Sequence, residues 1–190
     1  MHEKGERRNV LQVFVNGGVG MVSAVLYALT GQHPFLVAFF VFFAAATADT
    51  WASELGILSR GKPRSTLNLK PVEKGISGWV SLAGFAASFA GALIIASLVF
   101  VGEPSRALQF WRPVLIGVFM GSLVDSILGA TLQAQYRCTE TGRLVERPIS
   151  GQLKNQLVKG LLWMNNDLVN FLSILIVTVV VSLWFTTTQG

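Results

Sequence analysis

Cysteine is nearly missing from this chain: Cys138 stands alone among 190 residues. That excludes an intramolecular disulfide and any paired-cysteine metal knuckle, and a lone thiol fits a segment facing the cytosol. Histidine is almost as scarce, with His2 in the amino-terminal tail and His33 in a turn between apolar stretches. Neither a Ser-His-Asp triad nor an HExxH zinc helix can be assembled from these two, and no GxxxxGK[ST] phosphate loop occurs. Charge is the third shortage. Lys, Arg, Asp and Glu make up 13% of the residues, against 52% hydrophobic, where soluble domains carry about 25% charge. The chain therefore reads as a membrane protein. Its net charge of +5 would suggest nucleic acid on a soluble domain. Here the bases lie between apolar stretches, so they read as topology signals and phosphate ligands, with no nucleic-acid partner.

What is present is greasy and helical. A membrane-crossing helix needs about 20 mostly apolar residues, and five segments qualify: roughly 10–30, 34–58, 78–101, 113–135 and 161–187. The first is the weakest, diluted by "NGGVG", and the fourth opens on Pro113, a favourable first-turn residue. "PFLVAFFVFFAAATA" has no polar face, which a soluble amphipathic helix would need. The fold class is thus all-α: a polytopic membrane bundle of about five helices, one transmembrane domain over 1–190. "MHEKGERRN" precedes a long apolar segment without a small-x-small cleavage pattern, so the segment reads as a retained first helix. No Arg/Ser-rich transit peptide precedes it, which favours a prokaryotic cytoplasmic membrane or a trimmed chain. Thirteen of the 15 basic residues fall in the amino-terminal tail and in the loops near 59–77 and 136–160; only Arg106 and Arg112 lie on the other side. By the positive-inside rule the amino terminus and both large loops are cytoplasmic.

Asp49, Asp125 and Asp167 are the only aspartates, and all three fall inside the expected spans. An acid in a bilayer costs about 3 kcal/mol on insertion scales. Each sits roughly 9–15 Å from the cytoplasmic end of its span, at about 1.5 Å per residue. Three acids at one depth can converge on a polar pocket; the plain alternative is hydrogen bonding that merely locks helices together. Gly117, Gly121, Asp125 and Gly129 share a helix face, which turns Asp125 toward protein and is otherwise ordinary helix packing. Such small-residue stripes also permit a homodimer. Trp163, Asn166, Asp167 and Asn170 fall within an arc of about 100° at helical spacing. Asp49 and Glu54 lie about 140° apart, with Glu54 nearer water and explicable as a solvated or loop-paired residue. The loop "SRGKPRSTLNLKPVEKGISG" offers Arg60, Lys62, Arg64, Lys70 and Lys74, then Ser77 and Gly78 where the third helix starts. A helix amino terminus beside bases suits phosphate, although anionic lipid headgroups would explain most of these bases equally well. Intramembrane carboxylates, amides and a basic loop together suit Mg²⁺ bridged to phosphates, and a phosphoryl-transfer site on a substrate with a hydrocarbon tail.

"ATADTWASELGILSRGKPR", "GISGWVSLAGFAASFAGA", "GSLVDSILGATLQAQY" and "WMNNDLVNFLS", in that order, resemble the integral membrane family that includes phytyl-phosphate kinase of plants and cyanobacteria and animal transmembrane protein 19. The resemblance implies a kinase converting an isoprenoid monophosphate, such as phytyl phosphate, to its diphosphate, with a nucleoside triphosphate, CTP foremost, and Mg. It carries over Asp49, Glu54, Ser77, Gly78, Asp125, Asn166, Asp167 and Asn170. Of these, Asp49, Glu54, Asp125 and Asp167 are the expected catalytic residues, with Asp49, Asp125 and Asp167 on the metal. Trp79 stands where the family usually has a second glycine. Where many relatives carry several cysteines after "TLQAQY", only Cys138 remains, so no metal is expected in that loop. Relatives commonly carry further apolar helices ahead of the "RRN" point. A different class of function uses the same acids: a transporter or flippase of a phosphorylated lipid or small anion, coupled through carboxylates. The helices' outer halves hold few polar residues, which counts against a path across. An inert scaffold subunit is the third reading, in which the aspartates are dispensable.

Overall fold

A computed structural model describes the backbone of residues 10–56, 58, 64–65 and 79–189, and side-chain surroundings within 17–56, 58 and 81–188. Five long helices dominate: α1 (Val10–Thr30), α2 (His33–Gly56), α3 (Leu82–Gly102), α4 (Ala107–Thr131) and α5 (Asn166–Gln189). Four stretches are long and apolar enough to cross a membrane: α2, α3, Pro104–Thr131 (α4 with the turn before it) and Asn166–Thr188 in α5. The searched part of α1, Gly17–Thr30, is a shorter apolar helix.

Helix α2 is the hub, packed against each of the other four helices. Its Val37, Val41, Ala44 and Ala48 are buried against Ala92 and Ala96 of α3, Phe110 and Val114 of α4, and Val177 and Val181 of α5. Small residues allow this closeness. A Cβ on Gly117 would come within 2.6 Å of Val41 Cγ1, and one on Gly84 within 3.0 Å of the Ala52 carbonyl oxygen. In lipid, contacts of this kind replace the hydrophobic drive that would hold a soluble bundle. The outward faces stay apolar, with Phe85, Leu98, Phe119 and Leu123 exposed.

Helix ends follow local chemistry. Gly31, at φ 65°, closes α1 in the left-handed conformation that glycine adopts without a steric penalty, and its N–H donates to the Tyr27 carbonyl at 2.8 Å. Ser81 caps α3: its Oγ accepts from Gly84 N at 3.0 Å and donates to the Gly56 carbonyl at 3.4 Å. That pair pins the start of α3 to the end of α2. The fourth helix does not open on Pro113. A 3₁₀ turn at Pro104–Arg106 starts it earlier, and Pro113 is buried inside α4. The fifth starts at Asn166, not near 161. Asn165 Oδ1 accepts from Leu168 N at 2.9 Å, an amino-terminal cap that stops the helix from running further back.

The connection from α4 to α5 is not a plain loop. It holds five short strands, β3 (Gln135–Arg137), β4 (Leu144–Val145), β5 (Ile149–Ser150), β6 (Leu153–Lys154) and β7 (Gln156–Lys159). They follow β1 (Arg64–Ser65) and β2 (Trp79–Val80), an antiparallel pair that closes the α2–α3 connection. Strands β4, β3 and β7 form an antiparallel sheet with Tyr136 opposite both Val145 and Leu157, and β5 pairs with β6. An all-α reading is therefore right for the spans and too simple for the connections. Alternating residues such as "QYR" and "QLVK" are too short to stand out against apolar helices. Lys159 Nζ donates to the Ala130 carbonyl, placing a cation at the carboxyl end of α4 where the helix dipole favours it.

Candidate functional site

The last turns of α2 and α4 and the first turns of α5 lie side by side, and the polar residues of the spans gather there. Asp49 leaves α2 about two turns before its end. Asn170 leaves α5 about one turn after its start and donates from Nδ2 to Asp49 Oδ2 at 2.9 Å. Ser173, one turn further along, donates toward Asp125 Oδ1 of α4 at 3.3 Å, and its Oγ also lies 2.9 Å from the Asn170 carbonyl. One face of α5 thus ties α2 to α4 through two aspartates.

A crevice of about 310 Å³ opens beside this tie. Asp49, Thr50, Asp167 and Asn170 line it together with Phe42, Ala46, Phe171 and Ile174, and Trp51 is also in the lining. Phe42 and Ile174 belong to a small buried cluster that continues into Val19 and Phe43. Each helix supplies both kinds of residue: on α2 Phe42 and Ala46 come before Asp49 and Thr50, and on α5 Asp167 and Asn170 come before Phe171 and Ile174, so the lining is more polar toward the end of α2 and the start of α5. That gradation suits a ligand with an anionic head and a hydrocarbon tail, the head reached through a cation.

The expected residues divide into groups. Asp49, Asp167 and Asn170 share the crevice. Asp167, in the first helical turn because α5 starts at Asn166, is exposed and stands at the very start of the candidate span Asn166–Thr188 rather than well inside it. Asp125 is not in the crevice lining; its bond is to Ser173. Glu54 and Asn166 are exposed and do not line it. Trp163 precedes α5 rather than sharing its face. Among the described residues no three His, Cys, Asp or Glu side chains cluster closely enough to hold a metal ion between them. Asp49, Asp125 and Asp167 are thus not a closed cage. Arg60, Lys62, Lys70, Lys74, Ser77 and Gly78 lie outside the described residues, and Arg64 is placed by its backbone alone, opposite Val80.

Sequence reasoning missed Ser173 and the apolar part of the lining. Ser173 follows Asn170 by one helical turn, the same-face signal that linked Asn166 to Asn170. Phe42, Phe171 and Ile174 had no signal of their own, since every neighbour is equally apolar.

The family described as integral membrane protein DUF92 matches residues 1–178. Protein PGR of Arabidopsis thaliana is 32% identical over 206 aligned residues, spanning 95% of this chain and 70% of the plant protein. A membrane protein of Methanocaldococcus jannaschii described as uncharacterised is 34% identical over 128 residues, spanning 66% of this chain and 52% of the archaeal one. No solved structure matches.

Proposed function

The chain belongs to the integral membrane protein DUF92 family, and on that footing we propose that it is a membrane-embedded kinase that phosphorylates an isoprenoid monophosphate to the diphosphate. The observation that carries this reading is the mixed crevice lining: Asp49, Asp167 and Asn170 toward the end of α2 and the start of α5, with Phe42, Phe171 and Ile174 further into the two helices. The prenyl tail would lie along Phe42, Phe171 and Ile174, with the acceptor phosphate near Asp49 and Asp167. In the reaction an acceptor phosphate oxygen attacks the terminal phosphorus of a nucleoside triphosphate, CTP foremost. A new P–O bond forms, the bond to the β-phosphate oxygen breaks, and the nucleoside diphosphate leaves. The attacking oxygen is already ionised, so no general base is needed; positioning and charge neutralisation suffice.

Asp49 and Asp167 both line the crevice, and such a pair fits Mg²⁺, because Mg²⁺ commonly takes one or two protein carboxylates and fills its octahedron with phosphate oxygens and water. Asp49 and Asp167 would hold it, and it would offset charge on the transferring phosphoryl group. Asn170 fixes the Asp49 rotamer through its 2.9 Å bond. Asp125 acts through Ser173 on the placement of α5, as a positioning residue. The basic loop from Arg60 to Lys74 would supply counter-charge to the nucleotide.

The test is diphosphate formation from phytyl or geranylgeranyl monophosphate by purified protein with each NTP and Mg²⁺. Product that vanishes on chelating Mg²⁺ and in Asp49→Asn supports the reading. Flux of a phosphorylated lipid or small anion through proteoliposomes with no nucleotide turnover would replace it by the transporter.

A further inference from the structure

We propose that the crevice between the first turns of α4 and the last turns of α5 binds the phosphate headgroup of an anionic phospholipid. It lies at the end of the bundle away from the aspartates. Arg112 precedes Asp125 on α4, and Trp184 follows Asn170 on α5, by roughly 20 Å of helix each at 1.5 Å per residue. The two crevices are thus separate, and this one does not depend on the kinase reading.

The space is about 340 Å³ and is lined by Arg112, Gln109 and Thr188 among Leu108, Trp184 and Phe185. An arginine presents a planar fork of donors matched to phosphate oxygens, and the Gln109 amide adds a donor; the Thr188 hydroxyl, which donates to the Trp184 and Phe185 carbonyls at 3.2 Å, offers its oxygen to a headgroup hydroxyl. Pro113, also in the lining, has no N–H for the Gln109 carbonyl one turn back. A backbone acceptor is thereby left for a headgroup hydroxyl. Leu108 and Trp184 are 71% and 43% exposed, so the walls continue onto a face where acyl chains run, and a Trp ring suits the headgroup level.

Charge argues for the same occupant. This end of the chain carries only two basic residues, Arg106 and Arg112. Cations are depleted on one side of membrane proteins, so a cation set into a crevice there calls for an anionic partner. Arg106, in the neighbouring turn, does not line the crevice and serves as a control of equal charge.

The experiment is native mass spectrometry of the full chain released from detergent, titrated with phosphatidylglycerol, phosphatidylcholine or inorganic phosphate. The expected result is one saturably retained phosphatidylglycerol, weakened about fivefold or more by Arg112→Gln, the size of a partly solvated charge-assisted contact. Arg106→Gln leaves it unchanged. Equal retention of phosphatidylcholine, equal loss in Arg106→Gln, or no loss in Arg112→Gln overturns the proposal. Inorganic phosphate that binds as tightly overturns the lipid as its source. If Arg112→Gln is not monodisperse, Thr188→Leu decides instead: it fills the space without altering charge, and undiminished lipid retention then overturns the site.

Discussion

At the residue scale, the site turns on which aspartate keeps its negative charge exposed to a ligand and which spends it on a helix tie. Asp49 does both, because Asn170 occupies Oδ2. Asp49→Asn preserves an acceptor for that amide while removing the charge. Its expected effect is therefore a fall of about a hundredfold or more in phosphoryl transfer, typical of removing one preorganised electrostatic contact, with an unchanged thermal midpoint in detergent. Asp167→Asn, at an exposed first-turn position, should lower the rate similarly, with a stability change within about 1 kcal/mol, the scale of a helix-dipole charge. Ser173→Ala should do the reverse. It strips Asp125 of its donor, lowers stability by about 1 kcal/mol as interhelical hydrogen bonds in membranes do, and reduces the rate less than Asp49→Asn. A rate loss from Ser173→Ala matching that of Asp49→Asn would place Asp125 among the ligand-binding groups after all. Outside the spans, hydrogen bonds from the Thr141 side chain and the Thr141 and Glu140 backbone hold the Cys138 thiol down at about 7. Below that pH the group is a thiol and above it a thiolate. The absorbance difference at 240 nm against Cys138→Ser should rise with a midpoint near pH 7, and Thr141→Val should move that midpoint upward.

At the element scale, the glycines of α4 separate what sequence pattern reveals from what it hides. Their four-residue spacing placed Gly117, Gly121 and Asp125 on one inward face, and Gly117 and Gly121 do meet α2 at Val41 and Ala45. The spacing does not tell which glycine is tight. A Cβ at Gly117 would lie 2.6 Å from Val41 Cγ1, whereas one at Gly121 would be 3.5 Å from the Ala45 Cβ, an ordinary contact. Gly117→Ala should destabilise the bundle by about 1–3 kcal/mol, as overpacking does. Gly121→Ala should be neutral or slightly stabilising, since alanine favours the helix. Equal thermal midpoints for the two variants would mean that α4 shifts freely against α2. The same limit applies to helix starts. The apolar run before Asn166 reads as span by hydropathy alone, yet Asn165 caps the helix, and Gly160, at φ 80°, turns the chain where any Cβ would strike the Gln133 carbonyl. That one displacement puts Asp167 in the first turn of its span instead of well inside it. Hydropathy sees composition; caps and left-handed turns depend on single atoms.

At the scale of the whole molecule, the crevice takes Asp49 and Asp167 with Asn170 and leaves Asp125, expected with them, outside its lining; the helical spans, and the weight on acids that are expensive wherever they fall in an apolar helix, were readable. The apolar part of the lining was not, because lipid-facing and crevice-facing side chains share one composition. Sidedness comes from charge. With thirteen of 15 basic residues in the tail and the two long connections, the positive-inside rule assigns the aspartate end to the cytoplasm. The helix packing is compatible with that orientation and its inverse alike, so the assignment is a prediction of its own. Cys138 is the only cysteine, and a Cys138→Ser background makes the test clean. Ser105→Cys, in the exposed 3₁₀ turn before α4, and Gln152→Cys, at the exposed β5–β6 turn, sit at opposite ends of α4 and its connection. In intact cells a membrane-impermeant maleimide should label Ser105→Cys alone, and Gln152→Cys should react only after permeabilisation. The inverse pattern would put the carboxylate crevice outside, away from cytoplasmic nucleotide. That result would remove the kinase reading without touching the fold, and leave a site that handles phosphorylated lipid by some other means.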